Sequence, residues 1–380
     1  MRKILILLGT SSLAACSGGG PTTVGGTAVG GGAGAASPHS FVNPTDPKTY
    51  QATGTTATYE FSTTPGSQQY NQLYSADANT ARDNGLQITY NPRDGIFDLS
   101  LKAIKSSTDI TTRFQDPAHR TAFGGASQPQ AGVPDLTSKG VIYFENGSGS
   151  GIFNTDGYVN EVQTFFYQKP GTTTKYVTYA GYVRNKITQT KKDDGAGGTF
   201  LQTDYVRKRG NFVYGERSTN SAVPKTGTGT FTGQMLASLI YNPLLDIDAS
   251  TPSFFQWMDG TSTTTVDFGA NTFTLALAGT LGAPQFDLHS SQISAMPAGA
   301  TFAAAGAGQI DLVNAGGFLG QITSAALSSG GVTNNLVIAG SSIDGAFYGP
   351  TAQEVGGGFR VVGGTPDQRI DILGVFTGAR

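Results

Sequence analysis

Apolar and polar side chains alternate with the period of a β-strand in many segments of the chain after residue 55. Two such segments, residues 86–90 and 96–101, flank the turn sequence NPRDG at residues 91–95, which predicts a β-hairpin. Further strands are predicted at residues 141–145, 163–168, 176–183 and 205–214. The pattern therefore predicts an all-β protein.

The alternation becomes more regular after Pro224. One face of the first strand there is predicted to carry Phe231, Gly233, Met235, Ala237, Leu239 and Tyr241. The same alternation recurs at Phe273, Leu275 and Leu277, and again at Ile370 and Ile372. Regularly spaced strands with Gly-rich turns are typical of a closed antiparallel barrel, which has no exposed sheet edge.

The first residues have the layout of a bacterial lipoprotein signal. Arg2 and Lys3 precede an apolar run at residues 4–8, which is too short to span a bilayer as a helix. Leu-Ala-Ala-Cys at residues 13–16 resembles a lipobox, in which Cys16 carries the lipid. The alternative is an ordinary secretory signal with a chance cysteine, but Cys16 is the only cysteine in the sequence. By resemblance to lipoprotein sorting rules, the serine that follows implies an anchor in the outer membrane.

The segment after Cys16 has almost no large apolar side chain as far as residue 47, so it is predicted to be a flexible tether. The predicted domains are a signal peptide at 1–15, a Gly/Ala/Thr/Pro tether at 16–47, a β-rich handle domain at 48–225 and a β-barrel domain at 226–380. This organisation leaves two packed domains after the tether.

Charge argues against a nucleic-acid partner, because charged residues make up only 13% of the chain and the net charge is −2. Basic residues nevertheless gather in two short clusters, at residues 184–192 and 207–209, and no lysine follows Lys225. A patch for an acidic partner is one interpretation of these clusters. Solvated strand edges that carry lysine are the other, and the more frequent one.

No sequence motif for catalysis or phosphate binding occurs, so we predict that the protein is not an enzyme. The three histidines, His39, His119 and His289, are too far apart for their spacing to predict a metal site. Haem ligation by His119 or His289 with a tyrosine is one option, although surface or loop positions are the more frequent role. The predicted cofactor is therefore none, with haem as the alternative.

Two acidic residues, Asp246 and Asp248, begin like a calcium loop. Trp257 stands where the last acidic ligand would belong, so no calcium site is predicted. We expect Trp257 to be buried as a plug of the barrel, with a position at the tip of a binding loop as the alternative.

Three stretches resemble the transferrin-binding protein B-like surface lipoproteins of Gram-negative bacteria. The sequence NFVYGERSTNSAVPKTGTGTFTG, at residues 211–233, is similar to the junction between the handle domain and the barrel in that family. The sequence VDFGANTFTLALAG, at residues 266–279, is similar to a strand pair of the family. The third stretch is GAFYGPTAQEVGGGF, at residues 345–359, with the tail Gly374-Val375-Phe376. Together they cover about residues 205–380.

The resemblance implies one lobe, in which a β-rich handle domain packs against a C-terminal eight-stranded antiparallel β-barrel. It also implies a surface-displayed, non-catalytic lipoprotein that binds a host or nutrient protein, or haem. Such a protein is exported by a dedicated translocator and passes its cargo to a TonB-dependent receptor in the outer membrane. An adhesin or a complement-regulator-binding lipoprotein is the alternative, and alternating strands also suit an integral outer-membrane barrel. Family binding sites lie in variable loops, so no ligand-contact residue is carried over.

The stretch at residues 345–359 is predicted to form a corner of the barrel. A turn at residues 348–350 is expected to lead into a short helical turn at 351–354, because proline favours the first position of a helix. Three glycines follow, and the chain is expected to re-enter the sheet at Phe359. Glu354 has no acid or histidine near it in the sequence, so we expect its carboxylate to accept hydrogen bonds from backbone N–H groups of the turn.

Overall fold

Regular structure in the protein is almost entirely β-strand, as the alternating pattern predicts. The structure is a computed structural model, and it describes residues 39–66, 70–79, 86–101, 110–116, 129, 132–242, 254–284, 296–314, 316–365 and 368–380. Within these residues the helices are two short 3₁₀ turns, Thr137–Lys139 and Asn220–Ala222. No helix in this described part is long and apolar enough to cross a membrane.

The described residues of the N-terminal half form ten strands in two antiparallel sheets. In chain order the strands are β1 (Lys48–Gln51), β2 (Thr53–Thr63), β3 (Tyr70–Asn79), β4 (Gln87–Asn91), β5 (Ile96–Leu101), β6 (Ile110–Gln115), β7 (Val141–Ser150), β8 (Val159–Gln168), β9 (Val177–Asp193) and β10 (Thr199–Gly215). The outer sheet has the order β1-β4-β5-β6, and the central sheet has the order β3-β2-β10-β9-β8-β7.

Aromatic side chains fill the space between the outer and central sheets. Phe97 of β5 is fully buried there, with ring centroids 5.1–5.3 Å from those of Phe144, Phe165 and Tyr167 in the central sheet. Successive residues of a strand point to opposite faces, so Phe166 is buried on the other side of the central sheet. The central sheet therefore has an apolar surface on both faces.

The C-terminal half forms a closed eight-stranded antiparallel barrel, which confirms the predicted fold class. Its strands are β11 (Thr228–Asn242), β12 (Phe254–Asp267), β13 (Thr272–Leu281), β14 (Thr301–Asp311), β15 (Gly317–Ser329), β17 (Val337–Tyr348), β18 (Glu354–Thr365) and β19 (Gln368–Ala379). Consecutive strands of this series pair with one another, and β19 pairs with β11 to close the barrel. A short additional strand, β16 (Val332–Asn335), pairs with the end of β15.

The side chains that the alternating apolar pattern predicts to face inwards are buried inside the barrel. Phe231, Met235, Ala237 and Leu239 of β11 are buried in the interior core, as are Phe273, Leu275 and Leu277 of β13 and Ile370 and Ile372 of β19. Rings from several strands meet at its centre, where the centroid of Phe318 lies 4.8 Å from that of Phe273. The interior is therefore a packed core of side chains.

Part of the outer wall of the barrel is buried against the second face of the central sheet. Leu236 and Val375, which point outwards, lie in one cluster with Phe166 and Val213. A second cluster joins Ile240, Phe255 and Leu373 of the barrel to Ala57, Tyr59 and Phe61 of β2. Strands β11 and β19 are therefore apolar on both faces along this contact, unlike β13, whose outward residues are exposed.

The corner at residues 345–359 differs from the prediction. Strand β17 continues to Tyr348, and β18 begins at Glu354, so the predicted helical turn at 351–354 is replaced by a tight turn. Positive φ angles occur at Gly349 (84°) and Ala352 (55°). The three glycines lie inside β18, and at Gly356 and Gly357 a Cβ atom would come within 3.0 Å of a neighbouring strand or side chain, so close approach rather than a change of direction requires glycine there.

Trp257 is buried, but not as a plug inside the barrel. It lies on the outer face of β12, where its ring centroid is 5.5 Å from that of Phe166 in the central sheet. Its indole N–H donates a hydrogen bond of 3.0 Å to the carbonyl oxygen of Gly132. The prediction was wrong because the sequence does not say which outward side chains another sheet covers.

Packed structure begins upstream of β1. Phe41 is 2% exposed and contacts Tyr50 and Tyr214, with ring centroids 5.2 and 5.7 Å away. His39 lies next to this cluster, with Nε2 2.8 Å from the Tyr50 hydroxyl and 3.4 Å from a Glu216 carboxylate oxygen. Packed side chains are therefore present at residues 39–41, within the range predicted as tether.

Candidate functional site

A cleft of about 670 Å³ opens where the central sheet meets the barrel wall. We call it the arginine cleft, and it is lined by Gly132, Val133, Pro134, Asp135, Asn185, Lys186, Ile187, Tyr205, Arg207, Arg209, Trp257, Asp259, Gly282, Ala283 and Pro284. One wall comes from the paired strands β9 and β10, and the other from β12 and the residues that follow β13. Its volume is in the range of small-molecule sites.

Two arginines give the cleft its positive wall. Arg207 and Arg209 alternate along β10, so both side chains stand on the face of the central sheet that is turned towards the barrel. The Arg207 guanidinium lies 5.4 Å from the ring centroid of Phe61, and that of Arg209 lies 5.2 Å from that of Phe255. These rings support the two guanidinium planes by cation–π contact.

Arg209 is held in place by its hydrogen bonds. Its Nη1 donates to the Asn185 side-chain oxygen at 3.1 Å and to the Lys208 carbonyl oxygen at 3.0 Å. Burial, together with the nearby charge of Arg207, lowers the pKa of Arg209 to about 9. The cleft therefore contains a buried cation beside a second cation.

The acidic groups of the cleft are oriented by contacts of their own. Asp259 on the barrel side forms an ion pair with Lys139, which lies in the 3₁₀ turn before β7. Asp135 is exposed and accepts a hydrogen bond of 3.1 Å from the Thr137 backbone N–H, which lowers its pKa. Both carboxylates are therefore engaged by groups near the rim.

The two basic clusters of the sequence lie side by side on β9 and β10. The strand register pairs Lys208 with Arg184, and Arg207 with Asn185. Because of the alternation, Arg184 and Lys208 point to the face away from the barrel, where Arg184 forms a two-bond ion pair of 2.8 Å with Glu161. The clusters therefore divide between the two faces of the central sheet.

A second candidate surface is the connection between β7 and β8. Ile152 and Phe153, which we call the apolar tip, are 74% and 59% exposed. The loop that carries them is fixed to β9, since the Asn154 N–H donates to the Gln189 side chain at 2.7 Å and the Lys191 N–H donates to Asp156 at 2.8 Å. Hydrogen bonds therefore fix the backbone of this loop, and the loop exposes two large apolar side chains to solvent.

Glu354 has the predicted type of role but with different partners. Its side chain is 4% exposed and accepts backbone N–H groups from Lys175 at 2.6 Å, Tyr176 at 2.7 Å and Val177 at 3.1 Å. Burial raises the pKa of Glu354, and these three donors oppose the rise. The carboxylate thus joins the first residue of β18 to the start of β9, rather than bonding within its own turn.

Among the remaining candidates from the sequence, His39 lies in the described part of the chain. His119, His289, Asp246, Asp248 and Cys16 lie outside the described residues. His39 contacts Tyr50 and Glu216, and burial is the main cause of its lowered pKa. Across the part of the chain that the structure describes, no group of three or more His, Cys, Asp or Glu side chains could hold a metal ion.

The sequence reasoning missed the arginine cleft, although part of its signal was present. The spacing of Arg207 and Arg209 already places them on one strand face. What the sequence does not contain is the register of β9 with β10, or the contact with β12 that brings Trp257 and Asp259 opposite them.

Comparisons with known proteins agree with the barrel fold. Residues 223–380 match a family model described as the C-lobe and N-lobe beta barrels of Tf-binding protein B. No curated protein sequence matches the chain.

Three solved structures are similar to the chain. A transferrin-binding protein B mutant from Haemophilus parasuis Hp5 has 13% identity and a TM-score of 0.31, with 89% of this chain and 77% of that chain covered. Intact Ap-TbpB, with N and C lobes, has 14% identity and a TM-score of 0.30, with 90% and 79% covered. Isotype 1 TbpB from serogroup B Neisseria meningitidis has 10% identity and a TM-score of 0.22, with 90% and 78% covered. Identity and TM-score are low for all three, so the family match is the stronger guide to function.

Proposed function

The chain is transferrin-binding protein B-like through its barrel, and from this premise we propose that it is an outer-membrane-anchored surface lipoprotein that binds a nutrient source. The family match of residues 223–380 carries this proposal, because the family is named for binding proteins. In this proposal the cargo is iron, haem or another nutrient, a TonB-dependent receptor accepts it, and lipid attached to Cys16 anchors the chain. The protein acts by binding and not by catalysis.

The barrel interior is packed with side chains, which supports binding of a partner on the outside of the molecule. Phe273, Phe318 and Phe376 from different strands are buried together in the interior core. Small barrels filled in this way have no room for a ligand. A partner would therefore contact the exposed loops or the surface of the two sheets.

The apolar tip is the surface that best suits a protein partner. Large apolar side chains that stand in solvent on a fixed loop gain free energy when a partner covers them. Few residues carry most of the affinity at such contacts, and large apolar or aromatic anchors are common among them. We therefore assign Ile152 and Phe153 to partner binding.

The test is a binding screen with the purified full chain. The probes are haemin, haemoglobin and transferrin, with serum albumin as the negative control, and affinity is measured by calorimetry. We expect one probe to bind, and for a protein probe we expect Ile152→Ser with Phe153→Ser to weaken binding by about tenfold or more.

The matched control is Val313→Ser, which removes another exposed apolar side chain (90% exposed) from a loop of the barrel. Its affinity should equal that of the wild type. Failure of all three probes to bind would contradict the iron and haem role, and unchanged affinity of the tip variant for a protein probe would contradict the assignment of the partner surface.

A further inference from the structure

The apolar tip lies next to an edge of the central sheet. Strand β7 is at one end of that sheet, and in the described part of the chain it pairs with β8 alone. Strand β6 approaches its first half, where the Asn146 side chain donates a hydrogen bond of 2.9 Å to the Arg113 carbonyl oxygen. The strand then continues through residues 147–150, Gly-Ser-Gly-Ser, just before the apolar tip. We call residues 147–150 the open edge.

The backbone groups of the open edge that face away from β8 belong to its two glycines. In an antiparallel pair, successive residues of a strand direct their N–H and C=O groups alternately towards the partner strand and away from it. The Lys169 N–H donates to the Gly140 carbonyl oxygen at 3.0 Å, directly before the first residue pair of β7 and β8. Even-numbered residues of β7 therefore bond to β8, whereas Gly147 and Gly149 direct their N–H and C=O groups outwards.

These outward groups are accessible to a further strand. Gly147 and Gly149 are both exposed, and because glycine has no side chain this exposure is that of the main chain. Natural proteins block strand edges with lysine, proline or a β-bulge. Residues 147–150 contain no lysine or proline, and the register of β7 with β8 has no shift. The open edge is therefore suited to backbone pairing with another segment.

Packing within the described residues does not explain glycine at residue 149. Glycine inside a strand weakens it, and it occurs there mainly at bulges, at bends or where another backbone approaches closely. Gly149 has no positive φ angle. A Cβ atom there would come no closer than 3.4 Å, to the Val159 carbonyl oxygen, which is an ordinary contact. Close approach of a backbone from outside the molecule accounts for this glycine.

We propose that an extended segment of a partner protein pairs with the open edge as an additional strand of the central sheet. This inference rests on the proposed function, because it takes the partner to be a protein that also covers the apolar tip. The two glycines offer one outward N–H and one outward C=O each, so pairing along this short edge needs additional contact area. Ile152 and Phe153 supply that area directly beyond the strand. Main-chain hydrogen bonds align the segment, and the apolar tip packs against its side chains.

The experiment uses the purified full chain and, as the probe, a phage-displayed library of linear peptides. Peptides enriched on the wild-type chain should bind Gly149→Pro about tenfold or more weakly, because proline removes the outward N–H and its ring blocks the edge. Pairing with β8 does not use that N–H, so an edge strand tolerates proline there. Gly149→Ala is the matched control, since it keeps the N–H and its Cβ atom has space. Its affinity should equal that of the wild type, and circular dichroism reports whether each variant is folded.

Hydrogen exchange of the wild-type chain, followed by mass spectrometry, provides a readout that needs no variant. A bound peptide should slow exchange in the segment that contains Gly147 and Gly149, because their amides become hydrogen-bonded. Unchanged exchange there would overturn the proposal. So would a library that yields no peptide able to distinguish folded Gly149→Pro from Gly149→Ala.

The peptide experiment and the screen with haemin, haemoglobin and transferrin can fail separately. Edge-dependent peptide binding, with no probe bound in the screen, would contradict the proposed iron and haem role alone. Binding of a protein probe that depends on the apolar tip, with no edge-dependent peptide, would overturn the pairing of a partner strand alone.

Discussion

Glu354 illustrates at the scale of one residue how this fold uses a buried carboxylate. The side chain accepts three backbone N–H groups from residues that lie 177 to 179 positions earlier in the chain. Those donors lie where β9 begins, so without the carboxylate they would lose their acceptor, and the N–H of Val177 would be left buried. Glu354 therefore stabilises the contact between the central sheet and the barrel.

We predict that Glu354→Gln lowers the free energy of unfolding by about 1–3 kcal/mol. The amide has a single oxygen, and its NH₂ group would face a backbone N–H donor in place of an acceptor. Chemical denaturation measures the loss, and Glu145→Gln, which changes an exposed carboxylate in β7, is the control. Binding of the probes should persist in both variants; lost binding at unchanged stability would show that Glu354 contacts a ligand instead.

The role of Glu354 could be predicted from its sequence surroundings only in part. Its lack of acidic or histidine neighbours predicts an acceptor of backbone hydrogen bonds, and this is confirmed. Its donors, Lys175 to Val177, could not be predicted, because a contact between distant strands depends on how two sheets dock. The same limitation explains why Trp257 was wrongly assigned to the barrel interior.

At the scale of the element, strand β17 shows why glycine is required in the barrel. Gly345 lies opposite Phe318 of β15, and a Cβ atom at residue 345 would come within 2.2 Å of the Phe318 ring. That ring has little freedom to move, since its centroid is 5.5 Å from that of Phe347 and 6.3 Å from that of Phe376. The ring covers the glycine and fills the space of its missing side chain.

Gly345→Ala should therefore destabilise the barrel by about 1–3 kcal/mol through overpacking. Gly340→Ala is the control on the same strand, because no atom lies within 4 Å of the Cβ position there. Its effect should stay within about 0.5 kcal/mol. Thermal unfolding of the two variants provides the comparison, and equal melting temperatures would contradict the packing argument.

Strand positions were predicted better than strand ends. The hairpin at β4 and β5 and the inward residues of β11 and β13 follow directly from alternation. Strands β9 and β10 extend well beyond their apolar segments, to 17 residues each, because pairing continues through polar residues such as Lys191 and Gln202. Backbone pairing needs no apolar side chain, so periodicity alone does not reveal it.

At the scale of the whole molecule, the central sheet packs against other sheets on both of its faces. One face shares an aromatic core with the outer sheet, and the other covers the barrel wall at Leu236, Ile240 and Val375. Polar contacts add to this docking, including the Tyr74 hydroxyl, which donates to Asp371 at 2.9 Å. The contact between sheet and barrel also forms the arginine cleft, while the apolar tip lies on the connection between β7 and β8.

The central claim, that the chain binds an iron or haem source at the cell surface, is tested most directly by growth of a deletion strain under iron limitation. Cells receive haemin, haemoglobin or transferrin as the only iron source. The account predicts slower growth of the deletion strain on at least one of these, restored by the wild-type gene. Growth equal to that of the parent strain on all three sources would contradict it.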